Sequence, residues 1–192
     1  MTLESSERRG LLVIARRAVE AAAQGAKLER IDLAVLPAAL REEGACFVTL
    51  TAGGQLRGCI GSLEARQPLA LDVQEHAVDA AMNDFRFPPV QMAEVRKLAI
   101  EISVLSKPLP LRFGSAEDLL QRLVPGRDGV VLKKGARRAT FLPQVWEKVP
   151  DTVEFMGMLC EKMGVAPETW RRPGIEVYTY QVESFQEDSP PE

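Results

Sequence analysis

The sequence predicts an α+β fold: a mainly antiparallel sheet with flanking helices, arranged as two pseudo-repeated lobes. Three observations predict it. Segments of period-two apolar alternation are linked through glycine turns, as in hairpins. Segments with helical three-and-four spacing separate them, without the regular βαβ alternation of doubly wound folds. The order strands, helices, strand then recurs along the 192 residues, although no sequence repeat of fixed period accompanies it.

Residues 5–23 read as a helix, because Leu11, Leu12, Ala15, Ala18, Val19 and Ala22 fall on one face. Ser5 or Ser6 serves as its cap and Gly25 as its stop. A hairpin follows, with strands at 45–51 and 55–62 joined by Gly53-Gly54, which permits positive φ at both turn positions. Pro68 suits the first turn of a helix running to Met82, with Leu69, Val73, Ala77, Ala80 and Ala81 as its apolar stripe. Pro88-Pro89 forbids any continuation. Residues 98–105 alternate strictly and read as a strand, with Leu98, Ile100, Ile102 and Val104 on one face. A short helix is expected at 115–123. A second hairpin is expected at 129–133 and 138–142 about Lys134-Gly135. A helix at 151–163 presents Val153, Met156, Leu159, Cys160 and Met163, and residues 175–185 form the last strand. Residues 186–192 are polar and proline-rich and read as a frayed tail.

Composition excludes several function classes. Hydrophobic residues make up 46% and charged residues 27%, ordinary values for a chain that buries a core. The net charge of −3 argues against a dedicated nucleic-acid binder, which needs a basic excess to neutralise phosphates. No apolar run approaches the ~20 residues that span a bilayer, and the opening MTLESSERRG lacks the features of a secretory signal. The expected location is cytoplasmic. Three widely spaced cysteines form neither a disulfide framework nor a CxxC zinc motif, and His76 is the only histidine. No metal site and no cofactor are therefore expected. The phosphate-binding glycine motifs and the GxSxG nucleophile motif are absent from the sequence.

The segment from Leu56 to Gly61, LRGCIG, is the candidate centre of the working surface. Strand alternation sets Arg57, Cys59 and Gly61 on one face and Leu56, Gly58 and Ile60 on the other. Gly58 and Gly61 weaken a strand, which makes sense where another backbone or a ligand must come close. A nearby cation favours the thiolate, so Arg57 could activate Cys59. The competing reading is that Cys59 packs as a small hydrophobe; Cys46 and Cys160, in apolar surroundings, fit that description better. His76 invites pairing with Cys59 as a base, against a packed or surface role at the edge of its helix stripe. Asp84 and Arg86 either pair with each other or reach the Cys59 region, where a guanidinium set between Phe85 and Phe87 could hold a carboxylate or phosphate. The basic hairpin at Lys133, Lys134, Arg137 and Arg138 reads as a solvated turn that guards a strand edge. Nucleic-acid binding there lacks aromatic interleaving.

LRGCIG does not stand alone. Phe47-Val48-Thr49-Leu50 precedes it. Ala80-Ala81-Met82-Asn83-Asp84-Phe85-Arg86-Phe87-Pro88-Pro89 follows, then Ile102-Ser103-Val104-Leu105-Ser106 and Gly126-Arg127-Asp128-Gly129-Val130. Ala139-Thr140-Phe141-Leu142-Pro143-Gln144-Val145 and Leu159-Cys160-Glu161-Lys162 complete the series. In this order they closely resemble the AMMECR family, also known in prokaryotes as protein A of the AmmeMemoRadiSam system. The resemblance covers about 8–185 as a single domain with two lobes. It implies a barrel-like antiparallel sheet with helices, built from two β-β-β-α-α-like halves. It also implies companions, a Memo-family protein and a radical SAM protein. The family signature falls on Leu56, Arg57, Gly58, Cys59, Ile60, Gly61, Asp84, Arg86, Phe87, Pro88, Asp128, Gly129, Leu142 and Pro143. Position 76 is not a family histidine, and Phe85 stands where proline or serine is common. The resemblance supplies no established activity. Two functions are expected from it: action on a small anionic or carbonyl-type substrate through Cys59, with Arg57, Gly58, Gly61, Asp84, Arg86 and Asp128 as binding residues, or a non-catalytic interaction module using the same face.

Overall fold

The computed structural model describes residues 2–187. The chain divides into two compact units, one made of the residues up to Leu105 with those from Glu183 onward, the other of Ser106–Val182. The first unit begins with α1 (Ser5–Gln24), α2 (Ala38–Arg41), β1 (Glu43–Ala52), β2 (Gln55–Gly61) and β3 (Gln67–Pro68). It continues with α3 (Leu69–Met82), α4 (Met92–Val95) and β4 (Leu98–Leu105). The second contains β5 (Leu109–Pro110), α5 (Ala116–Arg122), β6 (Gly129–Lys134), β7 (Arg137–Phe141), α6 (Thr152–Lys162) and β8 (Glu176–Tyr180). Strand β9 (Val182–Gln186) returns to the first sheet, whose order is β2-β1-β4-β9. The second sheet runs β5-β8-β6-β7.

Both units follow one plan: helix, hairpin, helix, strand. In each, the hairpin's first strand lies between its partner and the later strand, giving β2-β1-β4 and β7-β6-β8 with antiparallel pairing throughout. The α+β, antiparallel expectation holds. The barrel-like closure does not, because each sheet keeps two separate edges rather than joining its first and last strands.

The first core forms where the buried face of α1 (Leu11, Ala15, Ala18, Val19) and the stripe of α3 meet the β1–β4 pair. Helix α1 is capped by Glu4 rather than Ser5 or Ser6; the Glu7 carboxylate accepts the Glu4 amide at 2.8 Å, and helical backbone already begins at Ser5. Gly25 ends it in the left-handed region at φ 65. The β1–β2 hairpin turns through Gly53 and Gly54 at φ 56 and 76, as two adjacent glycines require. Its register shifts after Leu50, so that Arg57 is an extra residue between Gly58, opposite Leu50, and Leu56, opposite Thr51. This bulge alters the simple alternation: Leu56 now shares a face with Thr51. Pro68 precedes α3 and pairs with Glu43, instead of sitting in the helix's first turn.

In the second unit, α6 buries Phe155, Met156, Leu159 and Cys160. Val153 does not join them and is 37% exposed; Phe155 takes the core place, stacked on Trp146 at 3.6 Å. The expected last strand is two strands in two sheets, broken at Gln181. Ser106 and Gln181 exchange hydrogen bonds there: each amide donates, one to the Gln181 carbonyl at 2.8 Å, the other to Ser106 Oγ at 2.9 Å. At the chain's end, Gln186 closes β9, and Glu187 accepts from the Arg16 guanidinium and from the Ile100 amide. The rest of the expected tail, 188–192, lies outside the described residues. None of the described helices is long and apolar enough to cross a membrane.

Gly58 sets how closely α3 approaches the hairpin. A Cβ there would lie 2.1 Å from the Ala80 carbonyl oxygen, backbone that cannot swing aside. Gly58→Ala should cost about 2–3 kcal/mol in urea unfolding. Gly10→Ala, whose Cβ would meet only Leu40 at 3.7 Å within α1, should instead stabilise by about 0.8 kcal/mol.

Candidate functional site

Strand β2 is an edge strand, and an edge leaves backbone groups without a ladder partner. At Cys59 two side chains take the place of the missing strand. The Cys59 amide donates to Asp84 Oδ2 at 2.8 Å, and its carbonyl accepts from Arg86 Nη2 at 3.1 Å. Asp84 and Arg86 are themselves joined in a fork, Nε to Oδ1 at 2.8 Å and Nη2 to Oδ2 at 2.6 Å, while the Arg86 amide reaches Oδ1 at 3.2 Å. Both carboxylate oxygens are thus engaged in a residue only 3% exposed. The Arg86 hydrogen bond holds the Asp84 carboxyl well below the usual range, against the opposing effect of burial, and the Cys59 and Arg86 amides reinforce it. A carboxylate so stabilised is a poor proton acceptor. Asp84 and Arg86 are brought to Cys59 as the sequence suggested, but they grip its backbone.

Arg57 is held separately. Its guanidinium meets Glu94 as a two-pronged pair, Nε to Oε1 at 3.0 Å and Nη2 to Oε2 at 3.2 Å. Glu94 also accepts the Gln91 amide at 2.8 Å, and Arg57, then that amide, lower its pKa. Phe87 lies beneath two cations, with the Arg57 and Arg86 guanidinium carbons 6.0 and 5.6 Å from its ring centre. Arg57 Nη1 is buried and has no hydrogen-bond partner among the described residues. Sequence reasoning missed Glu94. Its available signal was the Gln91–Glu94 capping box that starts α4.

The Cys59 sulfur is half-buried on the face shared with Thr49, whose hydroxyl donates to it at 3.3 Å. The Arg86 pKa is raised, chiefly by the Asp84 hydrogen bond and more weakly by the Cys59 sulfur. His76 is not in this group. It lies toward the opposite face of β1, with Nδ1 3.8 Å from Cys46 Sγ and 3.2 Å from Asp72 Oδ2, so no Cys59–His76 pair exists. Burial pulls the His76 pKa down, but the Asp72 hydrogen bond and charge, with Glu75 and Asp79, raise it overall. Burial, with Asp72, pushes the Cys46 thiol well up. The cluster of Cys46, Asp72 and His76 was also missed; only the spacing of Asp72 and His76 by one helical turn hinted at it.

The glycines answer to the protein itself. Gly58 admits the backbone of α3, and Gly61 admits the Phe47 ring and the Cys46 carbonyl, 2.4 Å from where a Cβ would be. Asp128 belongs to the second unit, where it fixes the turn before β6. Oδ2 accepts the Val124 amide at 3.0 Å, Oδ1 accepts Arg127 Nε at 2.9 Å, and its carbonyl accepts Trp146 Nε1 at 2.7 Å. In the basic hairpin Lys133 rests over Tyr178 and Arg137 donates to the Gly164 carbonyl. A cleft of about 500 Å³ runs along α1, between Val13, Ile14 and Ala18 and the 26–36 segment; Cys59 does not line it.

The Asp84 arrangement predicts a pH signature. A carboxyl whose pKa is lowered on folding stabilises the fold above its unfolded pKa, about 3.9, and that contribution fades as pH falls below it. Asp84→Asn should cost about 2–3 kcal/mol at neutral pH. In urea melts between pH 7 and pH 3, the variant should lose less stability on acidification than the parent does.

Comparison with known proteins places this geometry. The AMMECR1 family model matches residues 12–185. A protein of Methanothermobacter thermautotrophicus is 39% identical over 97% of each chain, and one of Thermofilum pendens is 38% identical over 97% of this chain and 92% of its own. The crystal structure of the uncharacterized protein PH0010 from Pyrococcus horikoshii is similar, with a TM-score of 0.81 and 32% identity, covering 98% of this chain and 95% of that one. With the family match running from 12 to 185, through both sheets, the chain belongs to the AMMECR1 family.

Proposed function

We propose that the chain is a docking module, and that it presents the segment around Phe85 at the β2 edge to a protein partner. One observation carries this reading: Phe85 is 94% exposed between two residues, Asp84 and Arg86, that are pinned to the Cys59 backbone. An aromatic side chain held in water by a braced loop loses little conformational freedom on binding. Aromatic and arginine side chains together are what interface centres favour. The proposed partners are the Memo-family and radical SAM proteins that the family resemblance implies. The engagement of Asp84 by Arg86 and Cys59 supports docking over proton-transfer chemistry at this edge.

The test is to mix the 192-residue chain with the Memo-family and radical SAM proteins of the same genome and measure affinity. Phe85→Ala should weaken a complex roughly 30-fold, the effect of a typical interface anchor, while Cys59→Ser changes it less than about threefold. No complex with either protein, or one indifferent to Phe85→Ala, overturns the proposal.

A second reading rests on the Thr49 hydroxyl that donates to Cys59 Sγ: a thiol so held, beside the Arg86 cation, suits attack on a small anionic or carbonyl-type substrate. Under it, Cys59 should alkylate faster at neutral pH than a free thiol, and Thr49→Val should slow the reaction. A rate matching that of a free thiol disposes of it.

A further inference from the structure

We propose that Cys46, Asp72 and His76 form a binding site for one zinc-type divalent ion, set between β1 and α3 and separate from the Cys59 edge. Asp72 and His76 lie one turn apart on α3, so their side chains share a face. That face turns toward β1, where Cys46 points back at it. Cys46 Sγ is 3.8 Å from His76 Nδ1, His76 Nδ1 is 3.2 Å from Asp72 Oδ2, and the three ligand atoms all lie within 4.8 Å of one another. A tetrahedral zinc with bonds of ~2.3 Å to sulfur and ~2.0–2.1 Å to nitrogen and oxygen sets its ligands about 3.6 Å (S to N) and about 3.3 Å (N to O) apart. The observed edges fall within a few tenths of an ångström of both.

The donor set fits the ion chemically. A thiolate, a neutral imidazole and a carboxylate sum to −2, so a divalent cation leaves the buried cluster neutral. Thiolate ligation selects zinc over magnesium or calcium, which prefer oxygen. Asp72 Oδ2 accepts the Cys46 amide at 3.0 Å and lies 3.2 Å from His76 Nδ1. A metal would displace the thiol proton and leave the amide bond in place. The surrounding contacts suit that role: Gln67 Nε2 approaches Asp72 Oδ1 at 3.5 Å and also binds Glu75 Oε2 at 2.5 Å, a pattern that steadies a ligating carboxylate. Cys46 is sealed at 0% exposure and the Asp72 side chain at 3%. The His76 side chain keeps 10%. Three protein ligands with one open position is the pattern of a zinc that accepts water or a substrate group.

The test uses the Cys59→Ser/Cys160→Ser double variant of the 192-residue chain, in which Cys46 is the sole thiol. Metal-stripped protein is titrated with Co²⁺ and then Zn²⁺. One equivalent of cobalt should give a thiolate-to-cobalt charge-transfer band that zinc abolishes, and X-ray absorption of the zinc form should show one sulfur among nitrogen and oxygen neighbours. Adding His76→Gln should weaken binding at least tenfold. Because the spectra read ligation in a variant that keeps all three ligands, misfolding of the His76→Gln protein would not mask the answer. Absence of the charge-transfer band, or a zinc shell without sulfur, overturns the proposal.

Discussion

The grip of Asp84 and Arg86 on the backbone of Cys59 is the constraint on which the first unit's edge depends. A sheet edge exposes amides and carbonyls that invite further strands. Here one amide and one carbonyl are taken by a carboxylate and a guanidinium that also bind each other. Such bonds gain strength from charge and from exclusion of water. They hold the segment after α3 against β2, so that Phe87 sits under the Arg57 and Arg86 cations while Phe85 is held outward. These residues therefore act as one mechanical assembly: the bulge at Arg57, the bare Cα of Gly58 under α3 and the Asp84–Arg86 fork lie side by side along the β2 edge.

The same arrangement separates the chain's three cysteines into different kinds of site. Cys59 is half-buried on the β-face that carries Thr49, Cys46 is enclosed with a histidine and a carboxylate, and Cys160 is packed in the second core. Strand parity divides the first two, since Thr49 and Cys46 fall on opposite faces of β1. No single description of "the cysteine chemistry" applies to this protein.

Much of the fold was legible because its signals are local. The glycine pair, the alternation at Leu98–Leu105 and the apolar stripe of α3 each announce their element without reference to the rest of the chain. What was not legible depends on docking. The last strand reads as one run through Gln181, because a change of sheet depends on which neighbours each half meets. Gly58 signalled a close approach, but that the approaching atom is the Ala80 carbonyl follows only from where α3 lands. At the site, the nearness of Asp84 and Arg86 to Cys59 could be anticipated; their use as backbone partners could not, because it requires knowing that β2 is an edge. Glu94 and the Cys46–Asp72–His76 group join residues far apart in sequence, and their pairing is set by helix packing rather than by spacing.

The return of β9 to the first sheet carries a consequence for how the molecule is made. The second unit is one continuous stretch, whereas the first is made of the residues up to Leu105 and is completed by those from Glu183 onward. During synthesis α1 through β4 leave the ribosome before the second unit, and β9 after it. Until then β4 lacks its outer neighbour, and Arg16 lacks the Glu187 carboxylate that joins it beside Ile100. The first unit must close a loop of the second unit's whole length before its sheet is finished, an entropic step that adds slowly with loop length. The continuous unit has its own core, and its Ser106–Gln181 hydrogen bonds hold the two ends of that stretch together.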